Sequence, residues 1–171
     1  MSVAATASAG AGLPGSAGCG RMKISELLKP SLIKTDLQSE DKEHLFEEMI
    51  QLFCNEGMLT DPEAALGALH EREDKMSTGI ANGLALPHGK IGEKRGLLIA
   101  IGISRQGIAY ESLDGAPIHV VIMVLAEIGN PGPHIKALAE ISRLCALPGL
   151  LDGLRAARTP AEILDLIRQG E

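Results

Sequence analysis

The sequence predicts an α/β sandwich, a sheet covered by helices on both faces. Ile118 to Leu125 is a near-continuous apolar, β-rich run, as a strand buried on both sides requires. Strand-like runs are interspersed with segments of helical period that carry their own start signals, which is the pattern of layered α/β architecture. With 171 residues, 45% of them hydrophobic, the chain suits one domain with a substantial core.

Taken in order, residues 1 to 20 are almost all Ala, Gly and Ser, uncharged and without periodicity, so they cannot repay their ordering entropy and are expected to be a disordered tail. They lack the basic and continuous apolar regions of a secretory signal, and Ser16-Ala17-Gly18-Cys19 lacks the usual leucine of a lipoprotein cleavage site. Met22 reads as an alternative start, which divides the chain into a tail, 1–21, and a domain, 22–171. Ser25 is expected to cap a short helix through Lys29, Pro30 to stop it, and Leu32-Ile33 to form a brief strand. Ser39 is expected to cap a second helix whose apolar stripe is Leu45, Phe46, Met49, Ile50 and Phe53, closed by Gly57. Asp61-Pro62-Glu63 supplies cap, first-turn proline and first-turn acid for a third helix running towards Arg72.

Leu84, Ala85 and Leu86 could finish a buried strand, which Pro87 ends. A strand from Leu97 to Ile103, a polar hairpin region around Gln106-Gly107, and a turn at Asp114-Gly115 precede the Ile118 strand. The segment from Gly129 to Pro133 reads as a loop, with His134 starting a helix that carries Ile135, Leu138, Ile141 and Leu144 inward. A short helix near Leu150 to Ala157 and a last one opened by the capping-box spacing of Thr159-Pro160-Ala161-Glu162 complete the chain.

Composition narrows the function. A net charge of −6 and the absence of a Lys/Arg run give no footprint for a phosphate backbone, and 2% aromatics with no Trp leave few stacking platforms, so nucleic acid is disfavoured as a partner. Three scattered cysteines, Cys19, Cys54 and Cys145, suit a reducing compartment better than a disulfide framework. The longest apolar run, Val120 to Ala126, is strand-sized, so a soluble, cytoplasmic protein is expected. Gly83 to Gly89 is one residue too long for a nucleotide-binding P-loop and Ile91 replaces its hydroxyl; neither G-x-G-x-x-G nor G-x-S-x-G occurs. His70 with Glu73 or Asp74 could offer two metal ligands, but a charged helix end reads more simply as a solvated face; no metal or cofactor is expected. Cys54 and Cys145 fall on apolar helix faces as small core residues.

Histidine chemistry remains. His44 and His70 occupy polar helix positions and His119 starts a buried strand. His88, boxed between Pro87 and Gly89, is left at a strand end with open backbone beside it, and His134 lies in a helix's first turn. Such surroundings disfavour imidazolium, and a neutral imidazole can accept a phosphoryl group. The charge on a phosphoryl in flight would need a guanidinium, hydroxyls and backbone amides, which Arg72, Ser77, Thr78, His134 and the backbone at Gly89 could supply. The alternative is an ordinary Pro-His-Gly turn with a solvated ring.

The run H-E-R-E-D-K-M-S-T-G-I-A-N-G-L-A-L-P-H-G-K, residues 70–90, resembles the signature of phosphotransferase-system IIA domains of the fructose/mannitol type, and most of all their nitrogen-regulatory branch. The likeness extends from about Met22 to Ile167, through the L-L-K-P segment, the D-G-A-P-I turn, the helix at His134 and the closing T-P-A-E-I-L helix. It implies a mixed five-stranded sheet with helices on both faces, and His88 as phosphoryl acceptor through Nε2. It also implies that Arg72, of the family's R-E pair, and His134, its second histidine, steady the phosphate. Ala81 departs from a common glycine, and the loop Asn130 to Pro133 is peculiar to this chain. By this resemblance the chain is a phosphohistidine carrier without cofactor, taking its phosphoryl group from an HPr-like protein. Its phosphorylation state would regulate target proteins, a preference supported by the lack of fused segments in 171 residues. A sugar-uptake IIA that passes the group to a IIB domain, and a binding module whose histidine does not turn over, are the alternatives.

Overall fold

The structure, a computed structural model, describes residues 20–171. The expected disordered tail up to residue 19, with Cys19, lies outside the described residues. The elements are α1 (Ile24–Leu27), a single 3-10 turn (Pro30–Leu32), β1 (Ile33–Lys34), α2 (Lys42–Asn55), α3 (Pro62–Lys75), β2 (Leu84–Ala85) and β3 (His88–Ile91). They continue with β4 (Leu97–Ile108), β5 (Ile118–Glu127), α4 (Pro131–Cys145), α5 (Leu150–Ala156) and α6 (Pro160–Gly170). The five strands form one mixed sheet. Its order is β1-β4-β5-β2, with β3 also on β5; β4 and β5 are antiparallel, and β1, β2 and β3 each pair in parallel.

Both faces of the two long strands are buried, as the apolar run at Ile118 requires. Ile99, Ile101, Ile103, Val120, Ile122 and Val124 point into a core closed by α1, α4, α5 and α6. Leu98, Ala100, Val121, Met123 and Leu125 point the other way, onto α2 and α3. Adjacent residues therefore serve opposite cores, and one register slip would exchange them. Gly102 is the small member of this alternation: a Cβ there would come within 2.6 Å of Leu37 Cδ1 and 2.8 Å of Met49 Sδ.

Several expectations needed correction. Ser39 does not cap α2; Asp41 does, accepting from His44 N at 2.9 Å, while the Ser39 hydroxyl bonds to Glu48. Ser25 lies inside α1, which ends at Leu27 rather than Lys29, and gives its hydroxyl to Glu171 at 2.6 Å. Pro30, expected only to stop a helix, opens the 3-10 turn. Gln106-Gly107 is no hairpin: β4 continues through it to Ile108 across an irregular register with β5. Pro131-Gly132-Pro133 is the first turn of α4 rather than a loop, because proline at the first helical position sacrifices no bond. The inward stripe of α4 runs through His134, Ala137, Ile141 and Leu144, and Ile135, expected inward, lies off it and is 64% exposed. At α6, Thr159 accepts from Glu162 N, but Glu162 reaches Arg158 N instead of closing the reciprocal box. The α2 stripe, the Asp61 cap of α3 and the α5 helix stand where the sequence puts them.

Candidate functional site

His88 is delivered by a tight local path. Asn82 and Gly83 both take left-handed backbone conformations, φ 58° and 75°, and the Gly83 carbonyl accepts from His119 N and Val120 N, pinning the turn to the start of β5. Leu84-Ala85 then pairs with Val120-Val121, Pro87 interrupts, and the chain re-enters the sheet as β3 with His88 opposite Val124. The sequence pattern missed β3, since Pro87 reads as a terminator; it separates two short strands that share β5. Gly89 is the contact point between β3 and α3, where an added Cβ would sit 3.1 Å from Ala68 Cβ and 3.2 Å from the Ala68 carbonyl carbon. That close approach brings the last turn of α3, with Arg72, alongside His88.

The two nitrogens of His88 have different partners. Nδ1 lies 2.8 Å from the Leu86 carbonyl oxygen, which can only accept, so Nδ1 carries the proton. Nε2 is then the lone-pair nitrogen, and it accepts from Arg72 Nε at 3.1 Å. The guanidinium is held by a second bond, from its Nη1 to the Met76 carbonyl at 2.9 Å. Burial pushes the His88 imidazole below its ordinary 6.5; the Leu86 carbonyl opposes this and the Arg72 charge adds to it. The ring of His134 lies 5.5 Å from that of His88, centroid to centroid and tilted by 60°. Its pKa is likewise lowered, first by burial and then by His88 and Lys90, and its buried Nδ1 has no hydrogen-bond partner among the described residues. Both rings are therefore neutral near pH 7.

A cleft of about 500 Å³ opens over them, lined by His88, Gly89, His134, Arg72, Lys75 and Lys90 among others. Of the residues singled out in the sequence, His88, Arg72, His134 and Gly89 thus come together. Ser77 and Thr78 do not line the cleft. Ser77 Oγ accepts from Gly79 N, and the buried Thr78 donates from N and Oγ1 to the Glu73 carboxylate, with its hydroxyl 2.6 Å from Tyr110 Oη. Glu73, read from sequence as part of a solvated helix end, is 8% exposed and also pairs with Lys42 Nζ at 3.2 Å. Sequence reasoning passed over Lys75, Lys90 and Leu86; the Leu86 carbonyl, two residues before the histidine, had no side-chain signal to find it by.

Among known proteins, the family model for the phosphoenolpyruvate-dependent sugar phosphotransferase system, EIIA 2, matches residues 26–170. The fructose-specific EIIABC component of Bacillus subtilis is 38% identical over 86% of this chain, which spans only 23% of that longer protein. The nitrogen regulatory protein of Bradyrhizobium diazoefficiens is 30% identical, over 85% of this chain and 95% of its own length. The crystal structure of nitrogen regulatory protein IIA-Ntr from Neisseria meningitidis superposes with a TM-score of 0.77 at 25% identity, covering 84% of this chain and 98% of that one.

Proposed function

The chain belongs to the EIIA 2 family of the phosphoenolpyruvate-dependent sugar phosphotransferase system, and on that premise we propose that it is a phosphoryl carrier whose acceptor atom is Nε2 of His88. The observation that carries this reading is the division of labour on one ring: Nδ1–H is tied to the Leu86 carbonyl, and the Nε2 lone pair faces the Arg72 guanidinium in an open cleft. The donor is a phosphohistidine of an HPr-like protein. In-line transfer forms the N–P bond at His88 Nε2 as the donor's N–P bond breaks, and the bonding electron pair returns to the donor imidazole. Each ring keeps one N–H throughout, so no proton need leave the site. Arg72 moves its Nε hydrogen bond from the ring nitrogen to a phosphoryl oxygen, Lys75 and Lys90 add charge, and His134 and the Gly89 edge of the cleft border the group. Ser77 and Thr78 take no direct part in this arrangement. The work is done in the cytoplasm; no described helix is long and apolar enough to cross a membrane.

We take the output to be regulatory, acting on target proteins according to the phosphorylation state, in keeping with the likeness to IIA-Ntr and to a nitrogen regulatory protein matched over nearly its full length. The second reading, transfer to a IIB domain in sugar uptake, is favoured by the 38% identity to the fructose component. Incubation with a phosphorylated HPr-type donor tests the carrier reading: acid-labile label maps to His88 and vanishes in His88→Ala. An intact protein left unlabelled by an active donor would instead leave a binding module without turnover. Recovery with a sugar-specific IIB would favour the second reading over the regulatory one.

A further inference from the structure

Glu73 occupies a place that elementary energetics disfavour. It is a buried carboxylate in the last turn of α3, where the helix dipole already presents negative charge and desolvation adds a further cost. Four groups from three residues compensate it. Thr78 donates from its backbone N at 3.0 Å and from Oγ1 at 2.5 Å, Tyr110 Oη lies at 3.4 Å, and Lys42 Nζ, itself 5.0 Å above the Tyr110 ring centroid, lies at 3.2 Å. Stability alone is a weak reason to build such a cluster, since a packed apolar group often serves as well.

The connections that leave the cluster give a better reason. In one direction, Glu73 and Thr78 close the segment 73–78 into a loop that fixes the Met76 carbonyl, and this carbonyl holds the guanidinium of Arg72 against His88 Nε2. In the other, the Thr78 carbonyl accepts from Leu86 N at 2.9 Å, and the Leu86 carbonyl accepts from His88 Nδ1 at 2.8 Å. Both nitrogens of one ring are therefore reached from the same buried pair, through two separate chains of contacts. The Glu73 charge also acts on the ring directly, opposing the depression of its pKa.

We propose that Glu73 and Thr78, braced by Lys42 and Tyr110, form a positioning clasp that sets the tautomer and the aim of His88 through the Leu86 carbonyl on one side and Arg72 on the other. The clasp rests on the carrier reading for its purpose, but its geometry is testable without a donor. Glu73→Gln weakens the acceptor and removes the Lys42 pair; Thr78→Val removes one hydroxyl with the shape kept, and Thr78→Ser restores it. In the wild type, nitrogen NMR of the His88 ring shows a single neutral tautomer with the proton on Nδ1. Glu73→Gln and Thr78→Val shift the ring to a mixture of tautomers while the protein remains folded, and slow phosphoryl acceptance from the HPr-type donor by about 10- to 100-fold, the scale of a small misalignment. Thr78→Ser returns both readouts to the wild-type values. A purely structural cluster would lower the melting temperature but leave the tautomer and the rate of the folded fraction unchanged, and that result overturns the proposal. If Glu73→Gln does not fold, the Thr78 pair decides by the same two readouts. A wild type that takes no label but whose His88 tautomer follows the Thr78 pair would sink the carrier reading and leave the clasp standing.

Discussion

At the scale of single residues, the proposed carrier site requires one imidazole to be kept neutral and correctly turned. Burial lowers the pKa of His88, and also that of His134, so protonation of either ring is deferred to acid below the ordinary 6.5. Phosphoryl acceptance is expected to be flat with pH above neutrality and to fall only below 6.5, measured as initial labelling rate at constant donor. Stability carries the same sign. The unfolded chain takes protons on these histidines first, so their contribution is complete above about 6.5 and is lost as pH falls from there towards the lowered folded values, as a pH series of denaturation midpoints would show. Arg72 donates through Nε to the ring and through Nη1 to Met76, a two-point hold that an ammonium on a flexible stem cannot reproduce. Arg72→Lys should therefore slow labelling by about 100-fold with little change in melting temperature. The residue types at the site were legible in the motif, but directions were not. Nothing in S-T-G says that Thr78 turns inward to Glu73 while His88 faces the cleft, because that choice is made by Tyr110 and Lys42, distant in sequence.

At the scale of elements, the decisive contact is between β3 and the last turns of α3. Gly89 lets the strand approach Ala68, and Gly89→Ala would demand that one of them give way by a few tenths of an ångström. Because Arg72 rides on the same helix, this substitution is expected to cost labelling rate out of proportion to its effect on stability. Gly102→Ala offers the contrast. Its Cβ would collide with Leu37 and Met49 in the core away from the cleft, costing about 1–3 kcal/mol in a denaturant titration while the folded fraction labels normally. Helix identities came from apolar period and caps, and they held best where several signals agreed on one start, as at Asp61 with Pro62 and Glu63. They slipped where candidates competed: Asp41 took the capping role from Ser39, and Pro131 started α4 ahead of His134. Local propensity ranks such alternatives closely, and packing chooses between them.

At the scale of the whole molecule, one sheet separates two cores of mostly aliphatic side chains, and His88 stands on the short strand β3 that pairs only with β5. Ile101, fully buried at the centre of the sheet, belongs to the scaffold only: Ile101→Ala should cost about 2–5 kcal/mol of stability and leave the labelling of folded protein intact. The layered class was legible from the runs at Leu97 and Ile118, whereas the fifth strand followed only from the family resemblance, since β3 is short and enters behind a proline. Residue patterns do not encode how two interrupted strands share a neighbour; the sheet's register does.

The most direct test of the account is nitrogen–phosphorus NMR of the labelled protein after reaction with a phosphorylated HPr-type donor. The expected result is a single phosphoryl group bonded to Nε2 of His88, with its Nδ1 still protonated against Leu86. A phosphoryl on Nδ1 of that ring, or on His134 instead, would contradict it.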